Sequence, residues 1–239
     1  MGIDMEFEKL IYRRRSTRGF TGKPLTDDQI QKLLHAAVNA PNACNLQSWH
    51  FYCVCDRVKI EGLVPEVYGG AWIKNAGAVF VICTDAQKLA ERFGERGDKL
   101  FCIQDTACAA DHMLLMAAEL GLDGCFVGAF DEDNCRKYLN IPANQRPVII
   151  LPIGYASAEF PKKPRKNIDG VVTFVGKNKP VFDEQNGTPF RLYDRNLPGA
   201  VFEKLNLSGA VIKNCNLQDV QIEDCDVSNM TLNGAPINK

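Results

Sequence analysis

The chain has 239 residues, is 46% hydrophobic and 24% charged, and carries a formal net charge of -1 from 28 basic and 29 acidic residues. That is the composition of a globular protein with room to enclose a cofactor. No global field of either sign favours nucleic acid or an anionic membrane surface. Ten cysteines are present, without any C-x-x-C pair. The start, MGIDMEFEKL, has no apolar signal core. Free thiols in a reducing cytoplasm are therefore expected, rather than disulfide staples or a zinc site.

The spacing predicts a first helix from Glu6 to Arg14. Thr26-Asp27-Asp28-Gln29 is a capping box opening a second helix that runs to about Val38. Trp49 to Cys55 reads as a strand on which Cys53 and Cys55 share one face, with packing as their expected role. Ala78 to Cys83 is continuous in apolar character and reads as a buried strand. The stretch Leu100 to Leu120 is interrupted by Gln104, Asp105, Asp111, His112 and Glu119, which excludes a membrane span and favours a long buried helix. Its alanine runs would let another helix approach closely, inside the domain or at a dimer interface. Asp98 is its expected cap, and Gly121 its stop. Cys125 to Phe130 reads as a short apolar segment. Asp131 starts a helix to about Leu139, and Val148 to Pro152 is another buried strand ended by Gly154. Interleaved helices and strands give an α+β or α/β sandwich.

From Pro161 the character changes to a basic cluster, Lys162, Lys163, Arg165 and Lys166, and then to a polar linker over residues 176–192. A period of five follows. Apolar residues recur at Leu197, Phe202, Leu207, Ile212, Leu217, Ile222, Val227, Leu232 and Ile237. A helix or flat strand would scatter them, whereas a coil turning a corner every five residues points them all inward. This segment, 193–239, resembles the pentapeptide-repeat family, which implies a short four-sided right-handed β-helix leaning on the rest of the protein.

Four motifs carry candidate chemistry. In an extended segment Arg14, Ser16 and Arg18 project to one side. Two guanidinium groups flanking a hydroxyl suit a phosphate, although the same residues also fit a solvated helix end. Pro41-Asn42-Ala43-Cys44-Asn45-Leu46-Gln47 offers amide groups that can read a heterocycle edge, or it is an ordinary polar turn. In Gly124-Cys125-Phe126-Val127-Gly128 a glycine could let backbone approach a flat ring, or the segment simply ends a strand. Lys163-Pro164-Arg165 could complete a phosphate clamp or be a basic linker. His35, His50 and His112 read as packing or surface residues, and neither G-x-S-x-G nor H-E-x-x-H occurs.

Taken in order over roughly residues 5–175, these motifs closely resemble the nitroreductase family. The resemblance implies a dimeric α-β-α sandwich over residues 1–175, with flavin mononucleotide (FMN) at the subunit interface. It implies that Arg14, Ser16 and Arg18, with Arg15 beside them, contact the phosphate and ribityl chain, and that Lys163 and Arg165 reach the same phosphate. Asn42, Asn45 and Gln47 would contact the flavin, partly from the opposite subunit. Val127 and Gly128 would lie against its ring. The implied activity is ping-pong reduction of nitro, quinone or similar small acceptors by NAD(P)H, with no acid-base side chain required. Departures touch the nicotinamide side most. Ser48 stands where the family usually has Pro, Asn42 replaces a frequent Ser, and Gly128 replaces the acidic residue of some members. Gly69-Gly70-Ala71-Trp72-Ile73 offers no clear counterpart to a cofactor contact found in that subgroup. Two other readings remain: a flavin enzyme of the same fold with different chemistry (dehalogenation, dehydrogenation or flavin modification), and an interaction module centred on the repeat.

Overall fold

The structure is a computed structural model that describes residues 7–161 and 163–175, together with Gln221, Thr231, Leu232, Ala235 and Pro236. The linker predicted for 176–192, and nearly all of the repeat predicted for 193–239, lie outside the described residues. The chain divides into two units, Met1–Val171 and Val172–Lys239.

The larger unit is built on a four-stranded sheet in the order β1-β2-β4-β3, every pairing antiparallel: β1 (Trp49–Val54), β2 (Ala78–Thr84), β3 (Asp123–Gly124) and β4 (Arg146–Gly154). All seven residues of β2 are buried. A strand sealed on both faces has no polar side, hence its unbroken apolar run. On one face Val79, Val81, Cys83 and Ile150 pack with Ile60 and Leu63 of α3 (Arg57–Leu63) and Cys135 of α6 (Glu132–Leu139). On the other, Phe80, Ile82, Leu151 and Ile153 pack with Leu33 and Ala37 of α2 (Asp27–Val38) and Ala109, Ala110, Met113 and Ala117 of α5 (Cys102–Glu119). The expected α-β-α layering is the observed one.

Aspartates turn strands into helices. Asp56 follows β1 and accepts Lys59 N at 2.9 Å to open α3, while Asp85 follows β2 and accepts Lys88 N at 3.2 Å to open α4 (Ala86–Phe93). Asp131 opens α6 by accepting Asn134 N at 2.9 Å, as its position predicts. Each such cap contributes about 1 kcal/mol. The Thr26–Gln29 capping box of α2 is present in both directions. α3 and α4 are absent from the reading by periodicity, because each is under nine residues and its apolar stripe is too short to stand out.

Two expectations are corrected. Asp98 does not cap α5: a π turn over Gly97–Phe101 precedes the helix, and the Asp98 carbonyl accepts the Cys102 thiol. The short apolar segment Cys125–Phe130 lies beside β4, where an isolated bridge joins Val127 to Ile150. Cys53 and Cys55 do share a face, but both are exposed rather than packed. The stop of α5 is as predicted. Gly121 adopts φ 75°, its N–H reaches the Ala118 carbonyl at 3.2 Å, and Leu122 N reaches Ala117 O at 2.8 Å. This is the left-handed closing turn that glycine permits.

In the smaller unit, Thr231–Leu232 pairs antiparallel with Ala235–Pro236.

Candidate active site

Two clusters hold most of the candidate residues. The first begins where α1 (Phe7–Arg13) ends. The Arg13 guanidinium donates to the Ala118 carbonyl near the end of α5, which pins the chain as it leaves the helix. Ser16 then bridges Gly124 in parallel, and Thr17 N donates to Gly124 O at 3.0 Å. Alternation along this extended stretch buries Thr17 and leaves Ser16 and Arg18 exposed and Arg14 half-buried. The Ser16 hydroxyl hydrogen-bonds the Cys125 thiol, and Arg18 and Arg14 both lie close enough to act on it electrostatically. Burial pushes this thiol up and the three groups pull it part of the way back. Arg14, Ser16 and Arg18 thus share one neighbourhood around the Cys125 sulfur, and two guanidinium groups beside a hydroxyl are groups that can donate to an anion.

The close approach of the Ser16 segment needs Gly124. A Cβ there would stand 2.6 Å from Leu114 Cδ2 and 3.2 Å from the Pro152 carbonyl. Gly128 differs: a Cβ there would meet nothing within 4 Å. Val127, two residues after Cys125, is fixed by reciprocal 3.0 Å hydrogen bonds with Ile150. Backbone at 127–128 is thus held by β4 while the space before Gly128 stays open, a surface a flat ring can lie against.

Arg15 donates to the Phe160 carbonyl. Lys163 and Arg165 are exposed beyond β4, and no contact ties them to Arg14 or Arg18 among the described residues.

The second cluster is the turn between α2 and β1. Asn42 Oδ1 accepts Gln47 N at 2.9 Å, closing a loop in which Cys44, Asn45 and Gln47 adopt φ of 49°, 54° and 49°. Three left-handed non-glycine residues cost about 1–3 kcal/mol each and persist only where surrounding structure enforces them. The enforcing group is Asp105 on α5, whose Oδ1 accepts Ala43 N at 3.0 Å. Asp105 is 5% exposed, and its Oδ2 has no partner among the described residues. Burial raises its carboxyl above the usual range, only partly offset by the Ala43 N–H. Asn45 and Gln47 themselves are exposed. Asp105 is not among the expected site residues, and Gly124 and Cys125 enter the expectation only as part of the glycine-containing motif 124–128.

Trp72 and Ile73 take the place where the sequence offers no cofactor contact. Ile73 is fully buried and Trp72 packs on Phe20 at 6.2 Å between ring centroids. Trp72 and Ile73 belong to the core, while Gly69 and Ala71 are exposed. His35 and His50 are exposed, and His112 Nδ1 lies 3.3 Å from the Ala36 carbonyl, tying α5 to α2. None reaches either cluster.

The nitroreductase family pattern matches residues 11–155, more than half of the chain. The chain belongs to the nitroreductase family. An oxygen-insensitive NADPH nitroreductase of Salmonella typhimurium is 28% identical over 171 residues, 69% of this chain and 71% of that protein. An FMN reductase (NADPH) of Bacillus subtilis is 29% identical over 168 residues, 65% of this chain and 68% of that protein. Among solved structures, an FMN-dependent nitroreductase of Clostridium difficile R20291 superposes with a TM-score of 0.59 at 28% identity, covering 69% of this chain and 96% of that one.

Proposed function

We propose that this nitroreductase-family protein is an FMN-dependent NAD(P)H oxidoreductase that reduces nitro, quinone or similar small acceptors, and that each flavin is held between two copies of the chain. The observation carrying this reading is the placement of the two clusters. Arg13 attaches the anion-binding cluster at Ala118, and Asp105 attaches the amide loop thirteen residues earlier on α5, about 20 Å along the helix axis. One protomer therefore presents its phosphate donors and its amide donors at opposite ends of one helix. Antiparallel pairing of α5 with its copy brings the donors of one protomer beside the amides of the other.

The surface such pairing needs is present. Ile103 is 37% exposed, Ala107, Cys108 and Leu115 are half-buried, and Phe7, Ile11 and Tyr12 of α1 stand open to solvent. Small residues on α5 permit close helix approach.

The donor set fits FMN. Arg14, Arg18 and Ser16 would hold the phosphate, with Arg15 supporting the segment from behind and Lys163 and Arg165 reaching in from the segment after β4. Asn42, Asn45 and Gln47 would address the edge of the ring, and Val127 and Gly128 would lie beneath it. When bound, FMN supplies two-electron transfer between NAD(P)H and the acceptor in a ping-pong cycle. The chain's own contribution is to bind, orient and exclude water, and this reading requires no acid-base side chain. In this reading the C-terminal pentapeptide-repeat segment is an appendage outside the chemistry. No helix among the described residues is long and apolar enough to cross a membrane.

The test is steady-state oxidation of NADH and NADPH by FMN-loaded protein, with nitroaromatics and quinones as acceptors. Turnover with parallel double-reciprocal lines supports the reading. Bound FMN with turnover of neither acceptor class would favour a same-fold enzyme of different chemistry.

A further inference from the structure

A second site lies apart from both clusters, at an edge of the four-stranded sheet formed by the described residues. β1 is an edge strand, and side chains alternate along it. Cys53 and Cys55 therefore project to the same side, and their sulfurs stand 3.5 Å apart. Both residues are exposed, and they border a cleft of about 400 Å³ whose walls include Tyr52, Val54 and Leu139. Nothing in flavin binding uses this pair.

The spacing discriminates among the reactions open to two thiols. A disulfide needs the sulfurs at about 2.05 Å, so closing one here demands a movement of roughly 1.5 Å within a very short loop. Two sulfurs bonded to one shared centre at about 2.3 Å, with near-tetrahedral or slightly smaller bond angles, stand about 3.5–3.8 Å apart. The observed separation already matches the second geometry. A structural zinc ion requires four ligands, and no group of three or more His, Cys, Asp or Glu able to hold a metal occurs among the described residues. The matching occupant completes its valence with two protein sulfurs and one bond of its own.

The geometry points to a binding site for a trivalent organoarsenical at Cys53 and Cys55, with the two sulfurs on arsenic and the organic group in the adjoining cleft. The reaction is a condensation without change of oxidation state. A centre R–As(OH)2 exchanges two As–O bonds for two As–S bonds, each thiol proton leaves on the departing hydroxide, and two waters form. This differs from capture of a metal cation, which must expel both thiol protons to solvent. Although Cys53 is exposed as a residue, partial desolvation of its sulfur, the hydrogen bond with Cys55 and the repulsion of a Cys55 thiolate push it up to about 12, so it stays a thiol at neutral pH. Condensation tolerates a protonated thiol better than cation binding does.

The experiment titrates the reduced, full-length, FMN-loaded protein with phenylarsine oxide and follows intact mass, peptide mapping and remaining free thiols. The expected result is one phenylarsenic per chain bridging Cys53 and Cys55, with two thiols lost, reversible by a small dithiol but not by a monothiol. Cys53→Ser and Cys55→Ser should each weaken binding on the order of a hundredfold or more, because the second bond loses its high effective concentration. Cys108→Ser should leave it unchanged. Peptide mapping of the wild-type adduct keeps the test independent of variant folding. An adduct mapped to other cysteines, or full binding by the Cys53→Ser/Cys55→Ser variant, would overturn the assignment. Either result leaves the flavin reading untouched, since FMN content is measured on the same sample.

Discussion

The Asp105 carboxylate accepts the Ala43 backbone N–H at 3.0 Å, joining the start of α5 to the strained turn that carries Asn42, Asn45 and Gln47. A hydrogen bond to a charged group contributes about 1.5–3 kcal/mol, comparable with the strain of one left-handed residue in that turn. Asp105→Ala should therefore lower stability by about 2 kcal/mol in denaturant melts and weaken FMN binding. Asp105→Asn keeps an acceptor and removes a buried charge, so it should retain most of both. Equal loss of FMN affinity in the two variants would contradict the positioning role of the carboxyl oxygen.

The same carboxyl gives a pH signature. Its folded-state value lies above the usual carboxylate range because it is buried, with the Ala43 N–H opposing the shift. The folded state then binds this proton more tightly than the unfolded state does. Its contribution is fully present below about pH 4, the unfolded value, and is lost as pH rises through the folded value. The stability of Asp105→Asn relative to wild type should therefore increase over that window and level off above it. Thermal melts from acid to neutral pH measure this, and a difference independent of pH would count against it.

Arg14 and Arg18 act on the same thiol from either side of Ser16. Each charge-assisted contact to a phosphate is worth about 1.5–3 kcal/mol. Arg14→Ala and Arg18→Ala should each raise the FMN dissociation constant roughly ten- to a hundredfold, with Lys substitutions falling between. Flavin fluorescence quenching reads this directly. Riboflavin, which lacks the phosphate, should bind wild type and both variants with similar weak affinity.

Two glycines separate folding from binding. A Cβ at Gly124 meets Leu114 and Pro152, whereas one at Gly128 meets nothing within 4 Å. Gly124→Ala should cost about 1–3 kcal/mol of stability through overpacking. Gly128→Ala should leave apoprotein stability within about 0.5 kcal/mol while weakening FMN binding. Apoprotein melts and FMN titrations of both variants check the contrast.

Much of the layered fold was legible because its signals are local. The Thr26–Gln29 box, the Asp131 cap and the seven-residue apolar run of β2 each declare an element without reference to the rest of the chain. The π turn at Gly97–Phe101 was not legible, since it depends on Gly97 lying against the backbone of α4. The Arg14-Ser16-Arg18 alternation was readable from spacing alone. Asp105 was visible only as a charge interrupting an apolar stretch. Its role depends on a contact with Ala43, 62 positions away in sequence, and periodicity does not record such a contact. Arg15 shows the same limit: the hydrogen bond from its guanidinium to the Phe160 carbonyl joins residues 145 positions apart, which spacing does not record.

Sedimentation velocity followed in the visible flavin band tests the central claim most directly, because it reports cofactor and assembly in one trace. With FMN supplied in excess and the free nucleotide removed, all flavin absorbance should travel with a two-chain species and vanish from the protein on dilution into monomer. Flavin sedimenting with single chains, or protein that remains colourless, would contradict a site completed by two copies.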